Sequence, residues 1–102
     1  MNPEAIEKLI DEGRDSAEAR LAAGQARLKA GNVERALEHL EKAVEFKPDY
    51  AVAWQLLGKA LNEQDRTEEA RSAWETGREV ARERGDKQVE KVLDVWLRRL
   101  NG

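Results

Sequence analysis

At 102 residues, 40% apolar and without cysteine, the chain has material for one modest core and none for disulfides or thiol catalysis. Its 38% charged content is interleaved, 21 acidic against 18 basic residues, for a net charge of -3 and a pI near 5.3; this excludes the clustered cationic footprint of a nucleic-acid binder. The acidic start MNPEAIEKLIDEG has no basic segment leading into an apolar run, and no stretch approaches the roughly 18 apolar residues of a membrane span. The expectation is therefore a soluble cytoplasmic protein, with no nucleic-acid or membrane partner.

The apolar periodicity is helical throughout, with no alternating strand-like run. The first predicted helix, Pro3 to Glu12, offers Ala5, Ile6, Leu9 and Ile10 as an inward stripe and stops at Gly13. Ser16 is placed to cap the second, Ala17 to Ala30. Gly31 and Asn32 then supply a left-handed stop and a cap for the third, Val33 to Phe46, which Pro48 keeps from continuing. The fourth and fifth helices are expected over Tyr50 to Gln64 and Thr67 to Arg84. The sixth, Asp86 to Leu100, has Val89, Val92, Leu93, Trp96, Leu97 and Leu100 on one face and Lys87, Glu90, Lys91, Asp94 and Arg98 on the other. Between the last two lies Arg84-Gly85-Asp86, which in a secreted protein would suggest adhesion-receptor binding. Here it reads as punctuation: Arg84 favourable at a helix C-terminus, Gly85 a left-handed stop, Asp86 a cap.

Gly24 and Gly58 stand inside helices, where each costs about 1 kcal/mol relative to alanine. They lie 34 residues apart, and the same shift relates Ala17 to Ala51, Ala26 to Ala60, Glu34 to Glu68, Ala36 to Ala70 and Glu41 to Glu75. A glycine facing an alanine of the next helix would let two antiparallel helices approach closely, a device used twice. The segment WQLLGKAL supplies Trp54, Leu57 and Gly58, and ARSAW supplies Ala70 and Trp74; the first copy keeps Gly24, Ala36 and Pro48 but has Arg20, Ala23 and Arg27 where a second aromatic-rich copy would differ.

With these residues the chain resembles the tetratricopeptide repeat family, whose 34-residue pattern runs W-x2-L-G-x2-Y, A-x3-F, P. Arg20 and Arg27 depart from its Trp and Tyr, and Ala23 from its Leu. More narrowly it resembles short stand-alone bacterial members without an established activity. The resemblance implies an all-α superhelix of antiparallel hairpins in one domain: an N-terminal helix over 3–13, repeats over 17–50 and 51–84, and a capping helix over 86–100. No glycine recurs at Val92, 34 residues after Gly58, as expected of a cap that closes the array.

Neither catalysis nor a cofactor is expected. His39, the only histidine, sits beside the inward stripe Ala36, Leu40 and Ala43 and is expected to point to solvent; it has no cysteine or second histidine with which to hold a metal. Ser16 and Ser72, the only serines, have no histidine base in place. The pairs Glu68-Glu69, Glu41/Glu45 and Glu79/Glu83 are spaced as solvated faces, and Trp54, Trp74 and Trp96 lie on apolar stripes as core residues. Seven cations between Arg78 and Arg99 meet five carboxylates, too small an excess for RNA.

In the family that the chain resembles, the first helix of each pair lines a concave groove for a peptide. That phase implies a partner-binding face of Leu21, Gln25, Leu28 and Lys29 from the first repeat, with Glu18 beside them, and Gln55, Lys59, Asn62 and Glu63 from the second, with Val52. Leu21 and Leu28 are either apolar anchors for the partner or covered by the N-terminal helix. A clamp for a terminal carboxylate is not implied, because Leu21, Gln25 and Leu56 occupy its places. The expectation is a non-enzymatic adaptor binding a protein or peptide segment, as a monomer or weak homodimer; the alternative is a self-assembling structural module whose terminal helix docks on another copy. At the cap's exposed edge, Asp94, Arg98 and Arg99 either only face solvent or help to hold a partner.

Overall fold

The computed structural model describes residues 2–102, which form six α-helices: α1 (Pro3–Asp11), α2 (Ala17–Lys29), α3 (Val33–Phe46), α4 (Ala51–Glu63), α5 (Thr67–Arg84) and α6 (Lys87–Asn101). All six expected helices are present, with ends displaced by at most one residue. The displaced residues include the caps themselves, which are half inside the helix by definition. The Oγ of Ser16 accepts from the Ala19 N–H at 3.0 Å, Asn32 Oδ1 from Arg35 at 3.4 Å, and Asp86 Oδ1 from Val89 at 3.3 Å. Each satisfies one of the amides that a helix start leaves without a partner.

Consecutive helices pack as antiparallel pairs, most extensively α2 on α3 and α4 on α5. In addition α4 touches both α2 and α6, whereas the backbones of α1, α3 and α5 do not approach one another. The array therefore curves, with α2, α4 and α6 side by side on its inner surface. Small residues permit these crossings: Ala36, Ala43, Ala53, Ala60 and Ala70 are fully buried around Leu37, Leu40, Leu57 and Leu61. A second cluster joins Trp74, Ala81, Val89, Leu93 and Leu97 under α6, and a third joins Ile6 and Ile10 of α1 to Ala23 of α2.

Gly24 and Gly58 act differently from the expected glycine-on-alanine contact. A Cβ on Gly24 would lie 2.7 Å from Leu40 Cγ, and one on Gly58 would lie 2.2 Å from Trp74 Nε1. Each glycine is a socket for a large side chain of the following helix. That is the physical reason for the repeated position, since the buried Leu40 or Trp74 offsets the helical cost of glycine.

Two further expectations are corrected. On α1 the buried stripe is Ile6, Glu7 and Ile10, while Ala5 and Leu9 are exposed. His39 is 5% exposed instead of facing solvent. Its Nε2 lies 2.6 Å from Glu7 Oε2 and its Nδ1 lies 3.1 Å from Arg20 Nη1. A guanidinium only donates, so Nδ1 is the acceptor and Nε2–H donates to the carboxylate. Arg27 grips the same carboxylate through two bonds of 3.0 and 2.6 Å, and Arg35 reaches it at 3.0 Å. The Arg27 guanidinium foremost, then His39 and Arg35, holds the Glu7 carboxyl far below the usual carboxylate range against the opposing effect of burial. Of the two departures from the repeat pattern, Arg27 thus fastens α1 directly through Glu7, and Arg20 supports it indirectly by bonding His39.

Arg84-Gly85-Asp86 is the junction that was expected. Arg84 pairs with Asp49 in the loop before α4, Gly85 adopts φ 75°, and Asp86 caps α6. The tripeptide joins the α5–α6 turn to the α3–α4 turn.

Candidate peptide-binding cleft

The inner surface does not carry the expected face uniformly. Leu21 and Leu28 are half-buried and pack with Leu56 against the central cluster, and they lie apart from the apolar contacts of α1, which are Ala19, Ala23 and Ala26. Glu18 is engaged by Lys47 at 3.4 Å. Gln25 and Lys29 are exposed on α2, and Gln55 and Val52 are half-buried on α4.

Lys59, Asn62 and Glu63 do come together. With Trp74, Trp96, Arg99 and Leu100 they line a cleft of about 400 Å³ between the C-terminal halves of α4 and α6. The helical rise places Lys59, Asn62 and Glu63 on one face of α4, three and four residues apart, and the same spacing aligns Trp96, Arg99 and Leu100 on α6. The floor comes from α5. Trp74 fills the Gly58 socket, is 4% exposed, and donates its indole N–H to the Gln55 carbonyl at 3.0 Å. Trp96 lies against it with ring centroids 5.2 Å apart and planes tilted by 56°, a favourable edge-biased arrangement of two aromatic quadrupoles. One indole is thereby pinned beneath the cleft while the other stays half-exposed in its wall.

The rim is polar. Among the described residues neither Lys59 nor Arg99 has an ion-pair partner, in contrast to Arg66, Arg71, Arg78, Arg82 and Arg84, each of which holds a carboxylate. The α6 acids are turned the other way, Asp94 to Arg78 at 3.4 Å and Glu90 to Arg82 at 3.1 Å, both on α5. Of the cap-edge residues singled out in the sequence, Arg99 lines the cleft, Asp94 is used internally, and Arg98 is exposed beside it.

A comparably large hollow of about 380 Å³ lies on the outer surface of α3, lined by Arg20, Glu38, Glu41, Lys42 and Glu45. It has no aromatic or aliphatic side chain to desolvate a ligand. A smaller one of about 210 Å³ lies beside the Arg84–Asp49 pair. Of the three, the α4–α6 cleft is the one lined by two tryptophans, with a buried indole as its floor and polar groups on its rim. The face implied by the family resemblance includes its α4 wall but not Trp74, Trp96 and Leu100, because an apolar stripe does not reveal which of its members the array leaves uncovered.

Comparison with known proteins agrees with this architecture. Residues 27–93 match the family model described as tetratricopeptide repeat. A TPR repeat-containing protein of Pseudomonas aeruginosa is 45% identical over 98 residues, covering 96% of this chain and 93% of that protein. The solution structure of a Bordetella parapertussis protein is 41% identical with a TM-score of 0.83, covering 97% of this chain and 86% of its own. The crystal structure of a tetratricopeptide repeat domain protein from Salinibacter ruber is 35% identical with a TM-score of 0.82, over 86% and 98% of the two chains.

Proposed function

Because the chain belongs to the tetratricopeptide repeat family, whose members generally mediate protein–protein interaction, we propose that it is a non-enzymatic adaptor that holds a segment of another protein in the α4–α6 cleft. The observation that carries this reading is the half-exposed Trp96, placed over the pinned Trp74 and ringed by Lys59, Asn62 and Arg99. A tryptophan backed by a rigid floor supplies large contact area with little conformational entropy to lose, which is how interface anchors concentrate binding energy. The α2 half of the expected face contributes less, since Leu21 and Leu28 are already committed to the core and Gln25 and Lys29 present only long polar chains to solvent.

The test is affinity capture from the native lysate with the parent chain and with Lys59→Glu and Asn62→Arg, both at exposed positions and both checked for unchanged helicity. A protein held by the parent chain and by Lys29→Glu, but released by the two cleft variants, supports the assignment. Full retention of every bound protein by both cleft variants would overturn it.

A further inference from the structure

The outer surface of α6 is charged in a way that the cleft alone does not explain. Val95 is 39% exposed, and around it, at three, four and eight residues' distance, stand Lys91, Arg98, Arg99 and Lys87, all exposed. None of the four has an ion-pair partner among the described residues, while both acids of α6 are drawn back onto arginines of α5. The result is a continuous cationic surface on a chain whose net charge is -3. It adjoins the cleft through Arg99, which belongs to both. Lys59 faces it from α4, and the single rim carboxylate, Glu63, stands at the C-terminal end of α4.

We propose that the occupant of the cleft is an acidic segment of another protein, which seats a bulky apolar side chain on Trp96 and Leu100 and lays side-chain carboxylates on Lys59, Arg99 and the cationic face of α6. This rests on the adaptor reading and names the partner's chemistry. The apolar floor requires the bulky residue. The unpaired cations on two sides require negative charge before or after it, and Glu63 turns that charge away from the end of α4 and toward α6. Charge complementarity of this kind selects the partner and speeds its capture, with the floor providing the lasting contact. The carboxylates are those of Asp or Glu side chains, because the cations are spread over three turns of α6 and do not converge on one point as a single chain terminus would need.

The three tryptophans provide the readout. In the 15N-labelled full chain, Trp96 and Trp74 report on the cleft, and Trp54, whose indole donates to the Pro48 carbonyl at 2.8 Å away from it, is the internal control. Three probes are titrated: the amidated peptide acetyl-Glu-Glu-Leu-Phe-Glu-Glu, its lysine counterpart acetyl-Lys-Lys-Leu-Phe-Lys-Lys, also amidated, and acetyl-Gly-Ser-Leu-Phe with a free carboxyl end. The acidic peptide is expected to shift the Trp96 indole signal saturably and leave Trp54 in place. Its affinity should fall about tenfold or more in Arg99→Glu, and again when ionic strength rises from about 0.01 M to about 1 M and the screening length drops from about 30 Å to about 3 Å. Absence of any shift with the acidic peptide overturns the proposal. Equal binding of the lysine peptide does so as well while leaving the adaptor reading intact, and equal binding of the free-carboxyl peptide would assign the site to a chain terminus instead. A Trp96 signal that moves with protein concentration alone would give the site to a second copy of this chain. Lysate partners that ignore Lys59→Glu and Asn62→Arg would instead remove the adaptor reading itself.

Discussion

Replacing Gly58 with alanine adds one methyl group in the middle of α4, where alanine alone would favour the helix by about 1 kcal/mol. The structure reverses that sign. The new Cβ would stand 2.2 Å from Nε1, 2.3 Å from Cδ1 and 2.8 Å from Cε2 of Trp74. For the first two atoms ordinary contact begins about 1 Å further out, so the indole must move. It is 4% exposed, bonded to the Gln55 carbonyl and packed on Trp96, and a rigid indole has no flexible end to yield without losing those contacts. Overpacking of this kind costs about 1–3 kcal/mol and the strained hydrogen bond about another 1 kcal/mol, so the gain in helix propensity is outweighed. A net destabilisation of about 1–3 kcal/mol should appear in urea denaturation followed by circular dichroism, with a fall in Tm of about 4–8 °C per kcal/mol. Gly24→Ala is the internal comparison. Its Cβ meets Leu40 Cγ and Cδ2 at 2.7 and 2.8 Å, a shallower overlap than the 2.2 Å at Trp74, so its cost should be smaller. The decisive measurement is the double-mutant cycle with Trp74→Leu, in which Gly58→Ala should lose most of its penalty because the indole is gone. Stabilisation by Gly58→Ala alone, or strict additivity in the cycle, would refute the socket.

Two further variants examine the anchoring of α1 and the α4–α5 turn. Glu7→Gln removes the carboxylate that Arg27, His39 and Arg35 share and should destabilise the chain by about 3 kcal/mol at neutral pH, measured by urea denaturation. Because the folded-state pKa of Glu7 is depressed, its contribution is complete above the unfolded carboxylate value of about 4.3 and is lost as pH falls below it. The gap between the parent chain and Glu7→Gln should therefore narrow on acidification from about pH 5, and a pH-independent gap would contradict the assignment. Asp65, the only non-glycine residue with positive φ among those described, holds 59° in the α4–α5 turn at the place where Gly31 stands 34 residues earlier. Asp65→Gly should raise stability by about 0.5–1 kcal/mol by releasing left-handed strain in excess of glycine's entropic cost, and an unchanged or lower Tm would count against it.

What could be read from the sequence was whatever a single helix or a single shift encodes. The caps at Ser16, Asn32 and Asp86, the stop at Gly85 and the register linking Gly24 to Gly58 are local or periodic, and each appears as expected. His39 was misjudged because one apolar stripe was assigned to α3, whereas that helix also turns a side chain toward Glu7 of α1. A clue was present in the sequence. Arg20 and Arg27, seven residues apart on α2, replace two aromatic positions, and Glu7 interrupts the Ile6–Ile10 stripe of α1. Polar residues standing on two apolar faces that must meet call for one another, since a buried charge left alone costs more than the packing it displaces. The Gly58 partner was misassigned for a related reason: a fixed period identifies which position repeats but not which side chain, alanine or tryptophan, occupies the space it opens.

The candidate site lies where α6 departs from the pattern of α2 and α4. In α2 and α4 the glycine socket receives Leu40 and Trp74 from the helix that follows, and that helix then covers the apolar flank of its partner. At the corresponding position α6 has Val92, half-buried, and no later helix packs on it among the described residues. Val89, Leu93 and Leu97 are closed off by α5, but Trp96 and Leu100, one turn around the helix, have nothing above them and remain partly open beside α4. The departure from the repeat at Val92 thus coincides with an apolar surface, Trp96 and Leu100 over Trp74, bordered by the cations Lys59 and Arg99.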